Sequence, residues 1–294
     1  MDWFPLSDGA RLRVCGSGPD RAAVTVVFTH GLGCDHRVWH RMVAMLSAAA
    51  TGSLRLLTYD LRGHGGSTAA SRATATAHRL GTDLAELVAG LVPSGRTVLV
   101  GHGVGGSAIL AMARQQPRAF ADRTAGVVLL ATSASWLGDA ATVLPVGAGQ
   151  LLRDLHAILG DAIRPPVRVR LDRARTVGLR WLLLGDDPTD DDVTLLAEMI
   201  SEHWPEPLPL FHVPLPREDR VAALAAMAGI PVLTAVGESD RLVPATHAEL
   251  VAGAVPDATA LVLPGAGHVL PLESAAQLVP RILGMVNAAT RSGD

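Results

Sequence analysis

The chain has 294 residues, a formal charge of −3 and a pI near 6.4, with 49% hydrophobic and 18% charged residues. That composition is globular and excludes a disordered chain, and the near-balanced charge argues against a broad nucleic-acid or anionic-membrane surface. At roughly 150 residues per domain the length suggests about two domains, although α/β folds often fill this size as one.

The N-terminal stretch MDWFPLSDGARLRV has no basic region followed by an apolar one, so no signal peptide is expected. No uninterrupted apolar run reaches the ~18 residues of a membrane span. A cytoplasmic location follows as an expectation. Short β-branched runs then alternate with longer helical patterns. AVTVVFTH (23–30) is apolar throughout until its polar end, the mark of a strand buried on both faces. LRLLTYD (54–60), RTVLVGH (96–102), AGVVLLATS (125–133), IPVLTAVGESD (230–240) and TALVLPGAGH (259–268) repeat it. Between them, 74–92 carries Leu80, Leu84, Leu87, Val88 and Leu91 on one helical stripe, and a last helix is expected over about 272–289. Such alternation predicts βαβ units: an α/β fold with a mostly parallel central sheet and flanking helices.

The alternation stops over about 134–225, where helix-like segments, a proline cluster (Pro205 to Pro216) and an acidic turn (Asp186–Asp192) replace strands. This reads as a helical cap inserted into the sheet domain. The expected organisation is a core of 1–133 and 226–294 with a lid of 134–225.

Chemistry in open α/β sheets gathers at the carboxyl ends of the strands. Five such ends carry unusual residues: THGLGCDHRVW (29–39), YDLRGHGGS (59–67), VGHGVGGS (100–107), GESDRLVP (237–244) and GAGHVLPLE (265–273). In this order, over almost the whole chain, they resemble the α/β-hydrolase fold superfamily, in particular its lid-bearing bacterial hydrolases. That group includes esterases, lactonases, carbon–carbon bond hydrolases and haloperoxidase-like members.

One departure matters. The superfamily's nucleophile elbow is G-x-S-x-G, with Ser on a strained turn. Here the match is Gly101-His102-Gly103-Val104-Gly105, so the nucleophile position is Gly103, which has no side chain to attack with. The acyl-enzyme route is closed to this chain as written. The resemblance still implies Asp240 as the acid and His268 as the base, with the backbone N–H groups of Leu32 and Val104 as the oxyanion hole. Backbone donors do not depend on a Ser side chain.

Simpler readings stand beside these. His268 would otherwise be a surface loop histidine, and Asp240 a turn residue or helix cap. Asp60 and Arg62 belong to a motif that is mostly structural in the family, His102 is assigned to packing or hydrogen bonding, and Trp39 to the core. Cys34 lies two residues beyond Leu32, but a free Cys usually acts as a small hydrophobe and no base is aimed at it. The other thiol, Cys15, completes no disulfide framework or zinc site. All 25 basic residues are Arg, which excludes Schiff-base, P-loop-lysine and Ser-Lys chemistry. The histidines show no metal-binding spacing, so no metal is expected. Gly101, Gly103 and Gly106 meet the G-x-G-x-x-G spacing, but a hydrolase elbow produces it too, and Asp122 does not end a second strand. No cofactor is expected either.

Three functions remain open. The first is an enzyme that uses His268–Asp240 as a non-covalent general base on a small, largely apolar carbonyl compound. It would hydrolyse through activated water, or carry out lyase- or cyclase-type chemistry in a biosynthetic pathway. The second is an ordinary serine esterase, lactonase or C–C hydrolase in which Gly103 replaces Ser by engineering. The third is a non-catalytic ligand binder. A small-molecule substrate is the expected partner, with no nucleic acid and no membrane, and the sequence sets no oligomeric state. The cap's Trp136, Trp181, Trp204 and Phe211 favour an apolar ligand; a basic run from Arg164 to Arg175 is read as a solvated face rather than a carboxylate clamp.

Overall fold

A computed structural model describes residues 2–50, 54–132, 173–203 and 217–291. Eight strands form one sheet in the order β1-β2-β4-β3-β5-β6-β7-β8. They are β1 (Asp2–Pro5), β2 (Arg11–Ser17), β3 (Val24–Thr29), β4 (Leu54–Tyr59), β5 (Arg96–His102), β6 (Thr124–Leu130), β7 (Val232–Gly237) and β8 (Thr259–Leu263). β1 and β2 pair antiparallel, as do β2 and β4; every other pairing is parallel.

Side chains alternate across a strand, and here both faces are buried. Val27, Leu99, Val127 and Leu129 enter one core layer. Phe28, Val98, Val100, Val128 and Leu130 enter the other. The first layer lies under α2 (Ala77–Leu91) and α3 (Val104–Gln115). In α2, Leu80, Leu84 and Leu87 are fully buried, and Thr76 caps the helix by accepting from the Arg79 N–H. The second layer lies under α1 (His40–Ala49) and the last helix, α10 (Ala275–Arg291). Trp39 sits in this layer, fully buried and tilted against Phe28.

The first two strands add to those that the apolar runs predict. DWFP is largely exposed and RLRVCGS alternates buried with more exposed residues, and the Ser7-Asp8-Gly9 turn joins them at the sheet's antiparallel edge. A short α4 (Pro117–Arg123), which contains Asp122, also follows α3.

Between β6 and β7 the described residues form helices and no strand: α5 (Arg173–Leu183), α6 (Asp190–His203) and α7 (Arg217–Ala225). This is the helical insertion that the broken alternation implied. α6 is anchored on the core: Leu196, Met199 and Ile200 join the layer that holds Cys34, Val38 and Trp39. Arg37 pairs with Glu202, and Arg41 with Asp192. α7 adds Ala223 and Leu224 to the layer under α2 and α3. The basic run Arg164–Arg170 and the aromatics Trp136, Trp204 and Phe211 lie outside the described residues. Among the described residues, no helix is long and apolar enough to cross a membrane.

Candidate functional site

The parallel strands end together, and their following loops meet. β5 is in register with β3 (Thr29↔Gly101) and with β6 (His102↔Leu130), so the turn after His102 emerges between the loops of its neighbours. The chain must reverse there at once, because α3 starts at Val104. Gly103 makes the turn with φ 52° and ψ −115°, in the left-handed half of backbone space, and its N–H is held by Leu130 O at 2.9 Å.

The glycines of this turn have unlike reasons to be there. A Cβ on Gly105 would lie 2.1 Å from Thr29 O, and one on Gly106 would lie 2.0 Å from Thr132 Oγ1. One on Gly101 would lie 2.7 Å from Gly106 Cα. These three let strand and helix pack closely. Gly103 is not walled in this way: among the described residues an added Cβ would meet His268 Nε2 at 3.7 Å and Gly31 Cα at 3.8 Å, which are ordinary van der Waals contacts. The G-x-G-x-x-G spacing thus reflects the packing of a strand-to-helix turn.

His268 reaches this turn from the loop after β8. Its Nδ1 lies 2.9 Å from Asp240 Oδ2 in the loop after β7, and its other nitrogen faces the Gly103 turn. Asp240 is fixed in turn: its Oδ1 accepts from the backbone N–H groups of Leu242 and Val243 at 2.7 and 2.9 Å. Burial works against both charges, yet their mutual attraction outweighs it. Asp240 is held below the ordinary carboxylate range and His268 above the ordinary histidine value. An Asp240 carboxylate takes its hydrogen bond from Nδ1–H, which leaves Nε2 as the free acceptor toward Gly103.

His102 backs the site. Its Nε2 lies 2.9 Å from His268 O, and its Nδ1 is buried without a hydrogen-bond partner, beside Gly31. Burial, with the neighbouring His268 ring adding to it, drives its pKa down to about 3, so it stays neutral. Leu32 follows Gly31 in the loop after β3, and Val104 opens α3, where a first-turn N–H has no partner within the helix. The sequence-selected residues Leu32, Gly103, Val104, Asp240 and His268 therefore lie on four loops at one end of the sheet.

The other candidates are placed elsewhere in chemical terms. Cys34 is buried, and burial pushes its thiol up to about 12, which removes it as a nucleophile at neutral pH. Asp60 is spent on structure: it accepts from the N–H groups of His36 and Gly66 and from His36 Nδ1 at 2.6 Å. Arg62 forks onto Asp83 and also pairs with Asp8. Asp35, His36 and Asp60 cluster tightly enough for a metal ion, but Asp35 is forked by Arg37 and Asp60 is already saturated by these donors. The cluster reads as a braced turn.

Sequence reasoning overlooked Glu273. It stands five residues beyond His268 in a short helix, α9 (Leu270–Glu273), and its Oε2 accepts from the N–H groups of Gly185 and Gly267 at 2.6 and 2.9 Å. The signal was in view: an acidic residue in an apolar, proline-containing turn just after the histidine.

A model of the alpha/beta hydrolase family matches residues 26–281. The chain belongs to the alpha/beta hydrolase family. Two curated relatives above 35% identity are matched over short stretches. Probable esterase PIR7A of Oryza sativa subsp. indica is 38% identical over 106 residues, 36% of this chain and 37% of that one. The 3-oxoadipate enol-lactonase 1 of Acinetobacter baylyi is 36% identical over 80 residues, 27% of each. The chain thus spans 37% and 27% of the length of these two relatives. Solved structures align along nearly all of it. A thermophilic esterase from Thermogutta terrifontis gives a TM-score of 0.72 at 22% identity, over 99% of this chain and 100% of that one. The enol-lactonase from Burkholderia xenovorans LB400 gives 0.67 at 21%, over 97% and 100%. Likeness at such identity establishes the alpha/beta hydrolase fold.

Proposed function

We propose that this alpha/beta hydrolase is an enzyme of small, largely apolar carbonyl compounds that works by general-base catalysis without a covalent intermediate. The observation that carries the reading is the placement of His268. One ring nitrogen is held by buried Asp240, and the other faces a turn that offers room and no nucleophile. A water lodged over Gly103 loses a proton to His268 Nε2 and attacks the carbonyl carbon. The oxygen that gains charge is held by the Leu32 and Val104 N–H groups, helped by the positive end of α3. His268 then returns the proton to the leaving group. With a substrate bearing an acidic proton, the same base takes that proton directly and the same donors hold an enolate, which gives lyase or cyclase chemistry. Esterase and lactonase names among the relatives fit the hydrolytic branch. The reading carries with it a core of 1–133 and 226–294 under a cap of 134–225, no bound cofactor or metal, and a cytoplasmic location.

A panel of activated esters, enol-lactones and β-dicarbonyl compounds tests it, with turnover compared between wild type and His268→Ala. Turnover that survives His268→Ala unchanged would end the general-base reading.

A second reading is favoured by a separate observation. Gly103 has elbow dihedrals and space for a Cβ, so the scaffold is fit to carry Ser there. On that reading the chain is a serine hydrolase that lacks its nucleophile. It predicts no turnover with Gly103 and a large gain with Gly103→Ser.

A further inference from the structure

The loop that carries His268 is sewn to the end of α5. His268 N–H and Val269 N–H both donate to Leu183 O, at 2.9 and 3.2 Å, and Asp186 N–H donates to Gly265 O at 2.9 Å. Arg241, just past Asp240, donates to Leu184 O and lies over the Trp181 ring. The two backbones touch so closely that a Cβ on Gly185 would lie 2.0 Å from Gly265 O, and one on Gly267 would lie 2.4 Å from Leu184 C. At the centre of this seam is Glu273, with one oxygen accepting from Gly185 on the α5 side and from Gly267, the residue before His268.

We infer that Glu273 is a positioning residue for the base: its carboxylate clamps the α5 end onto the His268 loop and sets a second negative charge on the backbone of Gly267, the residue before His268. Two N–H donors converging on one oxygen suit a carboxylate. The Val269 N–H also bears on the carboxylate, and Oε1 is buried without a close hydrogen bond of its own. Burial pushes the Glu273 carboxyl up, against the pull of its backbone donors and His268, so holding the charge there is unfavourable in itself. Its charge adds to that of Asp240 in raising His268. The groups that bear on His268 are Asp240 after β7, His102 at the end of β5 and Glu273; Arg241 and Asp186 flank the seam, and Arg41 of α1 donates to Leu272 O beside it. One carboxylate thereby couples the docking of the inserted helices to the placement of the base, and α5 cannot leave the core at 183–186 without releasing the His268 loop.

The inference takes from the proposed function only that His268 is the base, and its test needs no substrate. The full-length protein, with labelled histidine, is titrated by NMR, with the His268 signal assigned by its loss in His268→Ala. In Glu273→Gln, which keeps an acceptor for Gly185 and Gly267, His268 is expected to titrate at lower pH than in wild type. In Glu273→Ala the midpoint falls as well, and the Gly185 and Gly267 amides lose protection from hydrogen exchange. A His268 titration in Glu273→Gln that superimposes on the wild-type curve overturns the charge role, and unchanged amide protection in Glu273→Ala overturns the clamp. If Glu273→Ala does not fold, Glu273→Gln decides. Failure here leaves the base itself to be judged separately, by the turnover of His268→Ala.

Discussion

On the base side of the site, every group is held by another. Asp240 takes two backbone N–H groups and His268, the His268 carbonyl takes His102, and the loop is tied to α5 through Leu183, Asp186 and Glu273. On the elbow side, a few ångströms away, Gly103 offers a positive-φ turn and, among the described residues, nothing closer than 3.7 Å to a Cβ placed there. The contrast teaches where function remains in this chain. Buried charge and convergent hydrogen bonds are costly to hold, and on this side of the site they converge on one imidazole. The elbow keeps the shape of a nucleophile site and supplies only backbone.

The largest effect should follow from breaking the base side. His268→Ala removes a positioned general base, worth roughly 10²–10⁴-fold, so kcat on any substrate found should fall by about that factor while circular dichroism stays unchanged. A smaller loss would mean that the braced imidazole does no proton transfer.

Gly103→Ser tests the elbow side in the opposite direction. The Gly103 chain should not be labelled by a fluorophosphonate, because the elbow position carries no side-chain oxygen. Gly103→Ser should take up one equivalent, read by intact-protein mass spectrometry, since its Cβ meets nothing closer than 3.7 Å and His268 is already aimed. In the general-base reading this variant slows the native reaction by displacing water. If it instead creates the only measurable turnover, the serine-hydrolase reading replaces it. A stoichiometric adduct on Ser107 of wild type would overturn both accounts of the elbow.

Asp240→Asn probes how the bracing is transmitted, and pH is its readout. The His268 pKa lies above its unfolded value, so its share of stability is full below about pH 6.5 and is lost as pH rises through the raised folded value. The Asp240 pKa lies below its unfolded value, so its share is present above about pH 4 and is lost as pH falls through the depressed one. The stability deficit of Asp240→Asn, from urea unfolding, should therefore be greatest between about pH 4 and 6.5 and shrink on both sides. The acid limb of the pH–rate profile, which reports the neutral base, should move to lower pH. A deficit flat across pH would show that the pair is not ionic.

Much of this was legible beforehand because it rests on short-range chemistry. Strands buried on both faces show as unbroken apolar runs, and β3 to β7 fall where such runs lie; β8, at the far edge and mostly exposed, also falls on an apolar run. The hairpin of β1 and β2 has exposed alternate residues and sits at an edge, so its sequence lacks that signature. His268 and Asp240 stand at strand ends after Gly-rich turns, where the parallel register brings loops together. Glu273 stands out as an acidic residue in an apolar turn, but what it binds was hidden for a different reason. Its partners Gly185 and Gly267 lie 88 and 6 residues away, and both contribute backbone, which carries no residue-type signal.

The smallest effect separates the elbow's glycines from one another, and so tests the claim that Gly103 alone among them has room. Gly105→Ala would drive a Cβ into Thr29 O at 2.1 Å and His30 O at 2.6 Å. Neither backbone oxygen can retreat without disturbing β3, so overpacking of about 1–3 kcal/mol or more is expected. Gly103→Ala meets no such wall among the described residues and bears the strain of a sparsely populated backbone conformation, φ 52° and ψ −115°, about 1–3 kcal/mol for an L-residue. At about 2–4 °C per kcal/mol for a chain of this order of size, Gly103→Ala should lower Tm by a few degrees. Gly105→Ala should lower it further or prevent folding. Equal losses in the two variants would mean that the space over Gly103 is closed. The water that the general-base mechanism places there, and the hydroxymethyl that the alternative restores, would then both have nowhere to sit.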